Sequence, residues 1–180
     1  MIEHSIRIEL RAANTFYEDF AKSLLRIDRF LSGVDDRPAA TLLLDFPLTW
    51  ALRQLNTMPI RERARTVVYT TARSEAYLDA IAGFHVSGVI STNRLVHLSS
   101  ALHAAAYAMR TYARSTDLTP TELRLIRYLL TGKATEDMAS EMRVSPKTIN
   151  AHFSNILQKL NVSSRLHIVT DLLRPDYASY

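Results

Sequence analysis

The stretch Thr135–Leu160, TEDMASEMRVSPKTINAHFSNILQKL, reads as two short helices joined by a tight turn. In its second half, Ile149, Phe153, Ile156, Leu157 and Leu160 recur at helical spacing and make an apolar stripe. Lys147, Asn150, Ala151, Ser154 and Gln158 recur at the same spacing on the other side. That second face is short-chained, rich in hydrogen-bonding groups and weakly charged, a chemistry suited to base edges in a major groove. Ser145 can cap the second helix, and Pro146 falls at its first position, where the missing N–H costs nothing. Periodicity alone fits an ordinary amphipathic helix of a bundle equally well.

The surrounding residues narrow the choice. Leu118, Thr119 and Glu122 spell Leu-Thr-x-x-Glu, Gly132 precedes the first helix of the pair, and Met138-Ala139 lies within it. Ser145, Thr148, Ile149, His152, Asn155, Ile156, Lys159, Leu160, Val162 and Arg165 follow with no gap. In these positions Leu118–Leu173 resembles the DNA-binding domain of the LuxR/FixJ (GerE-type) transcription regulators, over about a third of the chain. The resemblance implies an all-α, four-helix, helix-turn-helix domain that places its third helix in the major groove of double-stranded DNA. Base contacts would then come from Asn150, Ala151 and Ser154. Asn150 stands where many relatives have Lys, and Asn can pair bidentately with adenine N6 and N7. Ala151 suits a thymine methyl. Lys147, Thr148, His152, Asn155 and Lys159 would reach phosphates and set register; for His152, a ring bonded to backbone is an equal alternative. The last helix, about Arg165–Leu173, is the family's dimer contact, here through Leu166, Val169, Leu172 and Leu173. Pro175 is expected to stop it and DYASY to form a tail.

Upstream the pattern changes. Ser5–Leu10 alternates apolar and polar residues as a half-buried strand does. Thr41–Leu44, Thr66–Thr70 and Gly88–Ser91 are short apolar runs suited to strands buried on both faces. Helices are expected over Thr15–Leu31, ending at Ser32-Gly33 before the loop VDDRP, and over Trp50–Leu55, Ser74–Ala82 and Leu95–Tyr112, with MPIRERAR as a polar connection. Strands alternating with helices indicate an α/β domain with a parallel sheet. The runs Leu42-Leu43-Leu44-Asp45, Val67–Ala72, Ala80–Gly83 and Val86–Ile90 resemble segments of the receiver domain of response regulators, over roughly Ile6–Arg110. The sequence departs from that family in specific ways. Where the family has an acidic pair for Mg²⁺, this chain has Arg11-Ala12-Ala13-Asn14; where it has a Lys after the last strand, this chain has about Thr92. Asp45 and Thr71 remain. The interval before Asp45 is too short for a full second strand and helix. A shortened, degenerate receiver is therefore expected, with Asp45 a vestigial phospho-acceptor that caps the following turn.

These expectations set domains at 1–110 and 118–175, with a linker at 111–117 and a tail at 176–180. Hydrophobic residues make up 47 % of the 180 and there are four glycines, the composition of a globular chain. Without cysteine there is no disulfide framework and no thiolate metal site. The start MIEHSIRIEL has no signal-peptide pattern, and no apolar run approaches the ~20 residues of a spanning helix, so a cytoplasmic protein with no membrane partner is expected. No cofactor or metal is implied. The histidines are scattered and no Gly-rich phosphate loop exists, which argues against an enzyme. Residues 118–180 hold eight of the 22 Lys/Arg and six of the 18 Asp/Glu, so basicity is not concentrated in the DNA-binding part. The expected function is a dimeric, sequence-specific transcription regulator whose receiver-like domain works without phosphorylation, with RNA polymerase as a further partner. The alternatives are a phospho-activated regulator using Asp45, or an auxiliary heterodimer partner of another regulator of this type.

Overall fold

The computed structural model describes residues 6–25 and 39–174, and the chain forms two compact units. The first holds Met1–Thr71 and Phe84–Ala113; the second holds Ala72–Gly83 and Arg114–Tyr180.

The first unit is built on four parallel strands, β1 (Arg7–Arg11), β2 (Ala39–Leu44), β3 (Thr66–Thr70) and β4 (Gly88–Ser91), in the order β1-β2-β3-β4. β1 pairs directly with β2, with Leu10 opposite Leu42. Apolar residues from alternate positions share one face: Ile8, Leu42, Leu44, Val67, Tyr69 and Ile90. Against them lie Ala21 of α1 (Thr15–Leu25) and Leu98, Ala101, Leu102 and Ala105 of α5 (Leu98–Ala106). Each fully buried Leu or Ile here contributes about 1.5–3 kcal/mol, and the alanines of α5 allow its close approach to the sheet. The expected exposure alternation is visible in β1, where Arg7 and Glu9 are exposed and Ile8 is buried, whereas β3 and β4 are buried throughout.

Several local expectations are corrected. The helix expected over Leu95–Tyr112 is shorter: Thr92–His97 is a 3₁₀ segment, and α5 ends at Ala106. Met109 N–H closes onto the Ala104 carbonyl while Ala108 takes a left-handed conformation (φ 55°), which turns the chain out of the helix. The connection MPIRERAR contains a single helical turn, α3 (Ile60–Arg63), after α2 (Trp50–Thr57). The expected end of α1 at Leu31, the VDDRP loop and the tail beyond Arg174 lie outside the described residues.

Asp45 sits at the end of β2 and is 0 % exposed. One carboxylate oxygen accepts the N–H of Ala51 in the first turn of α2 (2.9 Å), and the other accepts the Thr70 hydroxyl (2.9 Å). It therefore caps the following turn as expected, with Thr70 as a hydroxyl partner.

The second unit contains α4 (Glu75–Ala82) and four helices, α6 (Pro120–Leu130), α7 (Thr135–Met142), α8 (Pro146–Leu160) and α9 (Arg165–Leu172). α4 packs on α6. Its Asp79, buried, accepts the N–H groups of Ser115 and Thr116 and the Thr116 hydroxyl (2.5 Å), and Arg127 of α6 donates to the Ala80 carbonyl (3.2 Å). Residues 115 and 116, read from sequence as linker, are thus fastened to α4. α6 opens with a complete capping box: Thr119 accepts the Glu122 N–H, and Glu122 accepts the Thr119 N–H (2.7 Å). It closes at Gly132, whose φ of 78° suits glycine.

Candidate nucleic-acid interface

α8 is placed by three local devices. Ser145 Oγ accepts the Thr148 N–H (3.1 Å), with Pro146 in the first turn. Arg143 in the left-handed region (φ 56°) makes the turn from α7, and Val144 N–H closes onto the Ala139 carbonyl. At the far end Asn161 is left-handed (φ 53°), and Val162 N–H bonds the Leu157 carbonyl, a helix-closing arrangement. α7 carries no side-chain cap: Ala134 holds that position, and the neighbouring Thr135 hydroxyl accepts a hydrogen bond from Arg165 (3.0 Å).

The apolar stripe read from sequence turns inward, with Leu157 and Leu160 half-buried at its margin. Ile149, Phe153 and Ile156 are buried. Lys147, Thr148, Asn150, Ala151, Ser154, Asn155 and Gln158 are exposed, and His152 is half-buried. Ser154 Oγ donates to the Asn150 carbonyl (3.1 Å), which leaves its oxygen free to accept. Asn150 Oδ1 accepts from Arg165 Nη2 (2.6 Å). Among the described residues, Lys147 has no carboxylate partner and the His152 ring has no hydrogen bond to backbone.

Lys159 is a different case. Its ammonium donates to the Glu122 carboxylate (2.7 Å) and to the Asp117 carbonyl (3.1 Å), an internal tie between α8 and α6 that competes with the phosphate role expected for it. Glu122 is only 2 % exposed. Burial pushes its carboxyl upward, but the bonds from Lys159 and from Thr119 outweigh that, and the net shift is below the ordinary carboxylate range. A buried carboxylate needs such a partner. A second cluster ties α6 to α7: Glu141 accepts from Tyr128 (2.5 Å) and Lys133 and lies 3.5 Å from Arg124. Bonds from Lys133 and Tyr128 hold its carboxyl below the usual range.

The expected dimer face of α9 is partly redirected. Leu166 is 69 % exposed, Val169 and Leu173 are half-buried, and Leu172 is 0 % exposed. Leu172 therefore belongs to the unit's own core with Ile168, since its stripe points inward. Ser164 caps α9 through the His167 N–H (3.2 Å). Sequence reasoning gave Arg165 no role of its own. Its guanidinium lies 3.8 Å from the centre of the Phe153 ring while bonding Thr135 and Asn150, so one side chain joins α7, α8 and α9. Among the described residues, no cluster of three or more His, Cys, Asp or Glu could hold a metal ion, and no helix is long and apolar enough to cross a membrane.

Comparison with known proteins places this geometry. Residues 116–171 match the family model of bacterial regulatory proteins, luxR family. The spore germination protein GerE of Bacillus subtilis is 42 % identical over 57 residues, 32 % of this chain and 77 % of GerE. The transcriptional regulatory protein UhpA of Salmonella typhimurium is 36 % identical over 55 residues, but the matched part is only 28 % of UhpA, and a mycobacterial putative HTH-type transcriptional regulator is matched over 6 % of its length. Among solved structures, two RcsB dimers bound to two parallel DNAs give a TM-score of 0.56 at 15 % identity, covering 94 % of this chain and 100 % of that one. RcsB from Salmonella enterica serovar Typhimurium bound to a promoter gives 0.56, also at 15 % identity, over 93 % of this chain and 98 % of that one. At that identity the likeness is one of fold, and it extends over both the α/β and the helical parts. The sequence match is to regulatory proteins rather than to enzymes. With 42 % identity across most of GerE, the chain belongs to the luxR family of bacterial regulatory proteins.

Proposed function

We propose that this protein is a sequence-specific DNA-binding transcription regulator of the bacterial cytoplasm. α8 would enter the major groove of double-stranded DNA, and a dimer would span two half-sites about one helical turn apart. The observation that carries this is the exposed face of α8: Asn150, Ala151 and Ser154 stand together on a helix capped at both ends and anchored by buried Ile149, Phe153 and Ile156. Lys147, Thr148 and Asn155 flank them as phosphate contacts, with His152 beside them. Leu166, supported by Val169 and Leu173, supplies the apolar contact of α9 with a second copy. We propose a functional division into a receiver-like part to about residue 110 and a DNA-binding part over 118–175, with α4, a helix of the first part, counted in the second compact unit. The test is a gel shift at low salt with genomic fragments and the purified protein alone. Retarded, competable complexes support direct binding; their absence until another regulator of this family is added would support the auxiliary-partner alternative.

The control mode we propose is phosphorylation-independent. Both oxygens of Asp45 already accept hydrogen bonds, its carboxylate is fully buried, and Arg11-Ala12-Ala13-Asn14 supplies no carboxylate for Mg²⁺. Incubation with a small phosphodonor and Mg²⁺, followed by intact mass, should leave the protein unmodified. A mass gain of one phosphoryl group at Asp45 would replace this with the phospho-activated alternative.

A further inference from the structure

The base-reading face holds an asymmetry that exposure alone does not reveal. Arg carries donors only, so the Asn150 atom that faces the Arg165 guanidinium at 2.6 Å is the oxygen, and the amide NH₂ is turned away from it. The guanidinium is itself held on two further sides, by the Thr135 hydroxyl (3.0 Å) and by the Phe153 ring beneath it (3.8 Å). Phe153 is buried and Thr135 begins α7, so Arg165 is fixed by the scaffold of the domain rather than by solvent.

Bidentate pairing with adenine needs the Asn oxygen to accept from N6 while its NH₂ donates to N7. Here one of that oxygen's two acceptor positions already takes a charge-assisted bond, and the guanidinium beside it crowds the approach of a second donor such as N6. The group left to meet a base is a donor, which suits the acceptors N7 and O6 of guanine or O4 of thymine, whereas adenine keeps a single bond at N7 and loses the bidentate pair. We infer that Arg165 is a positioning residue for base specificity: by holding Asn150 Oδ1, it turns Asn150 into a hydrogen-bond donor and biases one base pair of each half-site away from adenine. This revises the adenine preference expected from the residue type alone, and it rests on the proposed DNA-binding role of α8.

The test is binding-site selection from randomised double-stranded DNA with the full-length wild type, Arg165→Met, Asn150→Ala and the double variant, each first shown to be folded by circular dichroism. The wild type is expected to select guanine or thymine over adenine at one position of each half-site. Arg165→Met frees the amide to flip, and adenine at that position should rise roughly fivefold or more. Asn150→Ala should lose the preference there, and the double variant should match Asn150→Ala, because Arg165 acts through Asn150. An unchanged preference in folded Arg165→Met, a uniform loss of affinity across all sequences, or a shift that persists without Asn150 would each overturn the inference. Should Arg165→Met not fold, Thr135→Val removes one anchor of the guanidinium and should move the preference partway toward adenine; an unmoved preference there counts equally against it. A wild type that enriches no sequence would instead overturn the DNA-binding role itself.

Discussion

The two ends of α8 carry the same cation in opposite circumstances. Near its N-terminus Lys147 is exposed and has no carboxylate partner among the described residues. Near its C-terminus Lys159 is bonded to buried Glu122 and to the Asp117 carbonyl. Both lie at positions where a groove-binding helix could use a positive charge. The difference lies in the neighbouring element: the capping box of α6 leaves a carboxylate in the interior, and Lys159 is the cation within reach. A lysine held by a buried carboxylate is less free to follow a phosphate, because moving away would leave that carboxylate unpaired. In the proposed interface the exposed face from Lys147 to Asn155 is accordingly the part left for a ligand, while Lys159 fastens the end of the helix to its scaffold.

The largest effect that sharpens this contrast is on stability. Glu122→Ala removes the capping box, worth about 1 kcal/mol, and an ion pair whose Lys159 side chain is 35 % exposed, worth about 1 kcal/mol after solvent screening. Urea unfolding should show a loss of about 2 kcal/mol in all, and an unchanged midpoint would break the comparison at its scaffold end. The same group predicts a pH dependence. Its folded pKa is depressed below the ordinary Glu value of about 4.3, so its contribution is complete above that pH and is lost as the pH falls through the folded value. Glu122→Gln should flatten that part of the acid limb in a pH series of unfolding curves.

Next in size is Asn150→Ala, which should weaken binding to the preferred site by about 1–3 kcal/mol and relax one base pair. The smallest effect separates the lysines directly. Lys147→Ala should weaken all sequences alike and reduce the salt slope by about one. Lys159→Ala should leave that slope unaltered and appear as lost stability, read from anisotropy titrations at several salt concentrations beside unfolding curves. Equal changes in slope for the two variants would erase the distinction.

Much of this was legible in the sequence because its causes are local. The stripes of α8, the Ser145 cap with Pro146, the Thr119–Glu122 box and the buried runs of β2, β3 and β4 are each set by residues a few positions apart. The misreadings share a different cause. Lys159 meets Glu122, Asp79 meets Ser115 and Thr116, and Arg165 meets Thr135 only after the chain has folded, across sequence separations that no periodicity reports. Leu172 illustrates the same limit: an apolar residue on α9 looks alike whether it fills its own core or a partner's, and only its complete burial decides. The early end of α5 turns on a left-handed Ala108, a conformation that residue type does not announce.

The most direct test of the central claim is the base-preference profile of α8, obtained by binding-site selection with wild-type protein and with folded Asn150→Ala. Two half-sites about one helical turn apart, with one base pair in each losing its preference in the variant, are the predicted result. Identical profiles for the two proteins, or no enriched sequence from either, would contradict it.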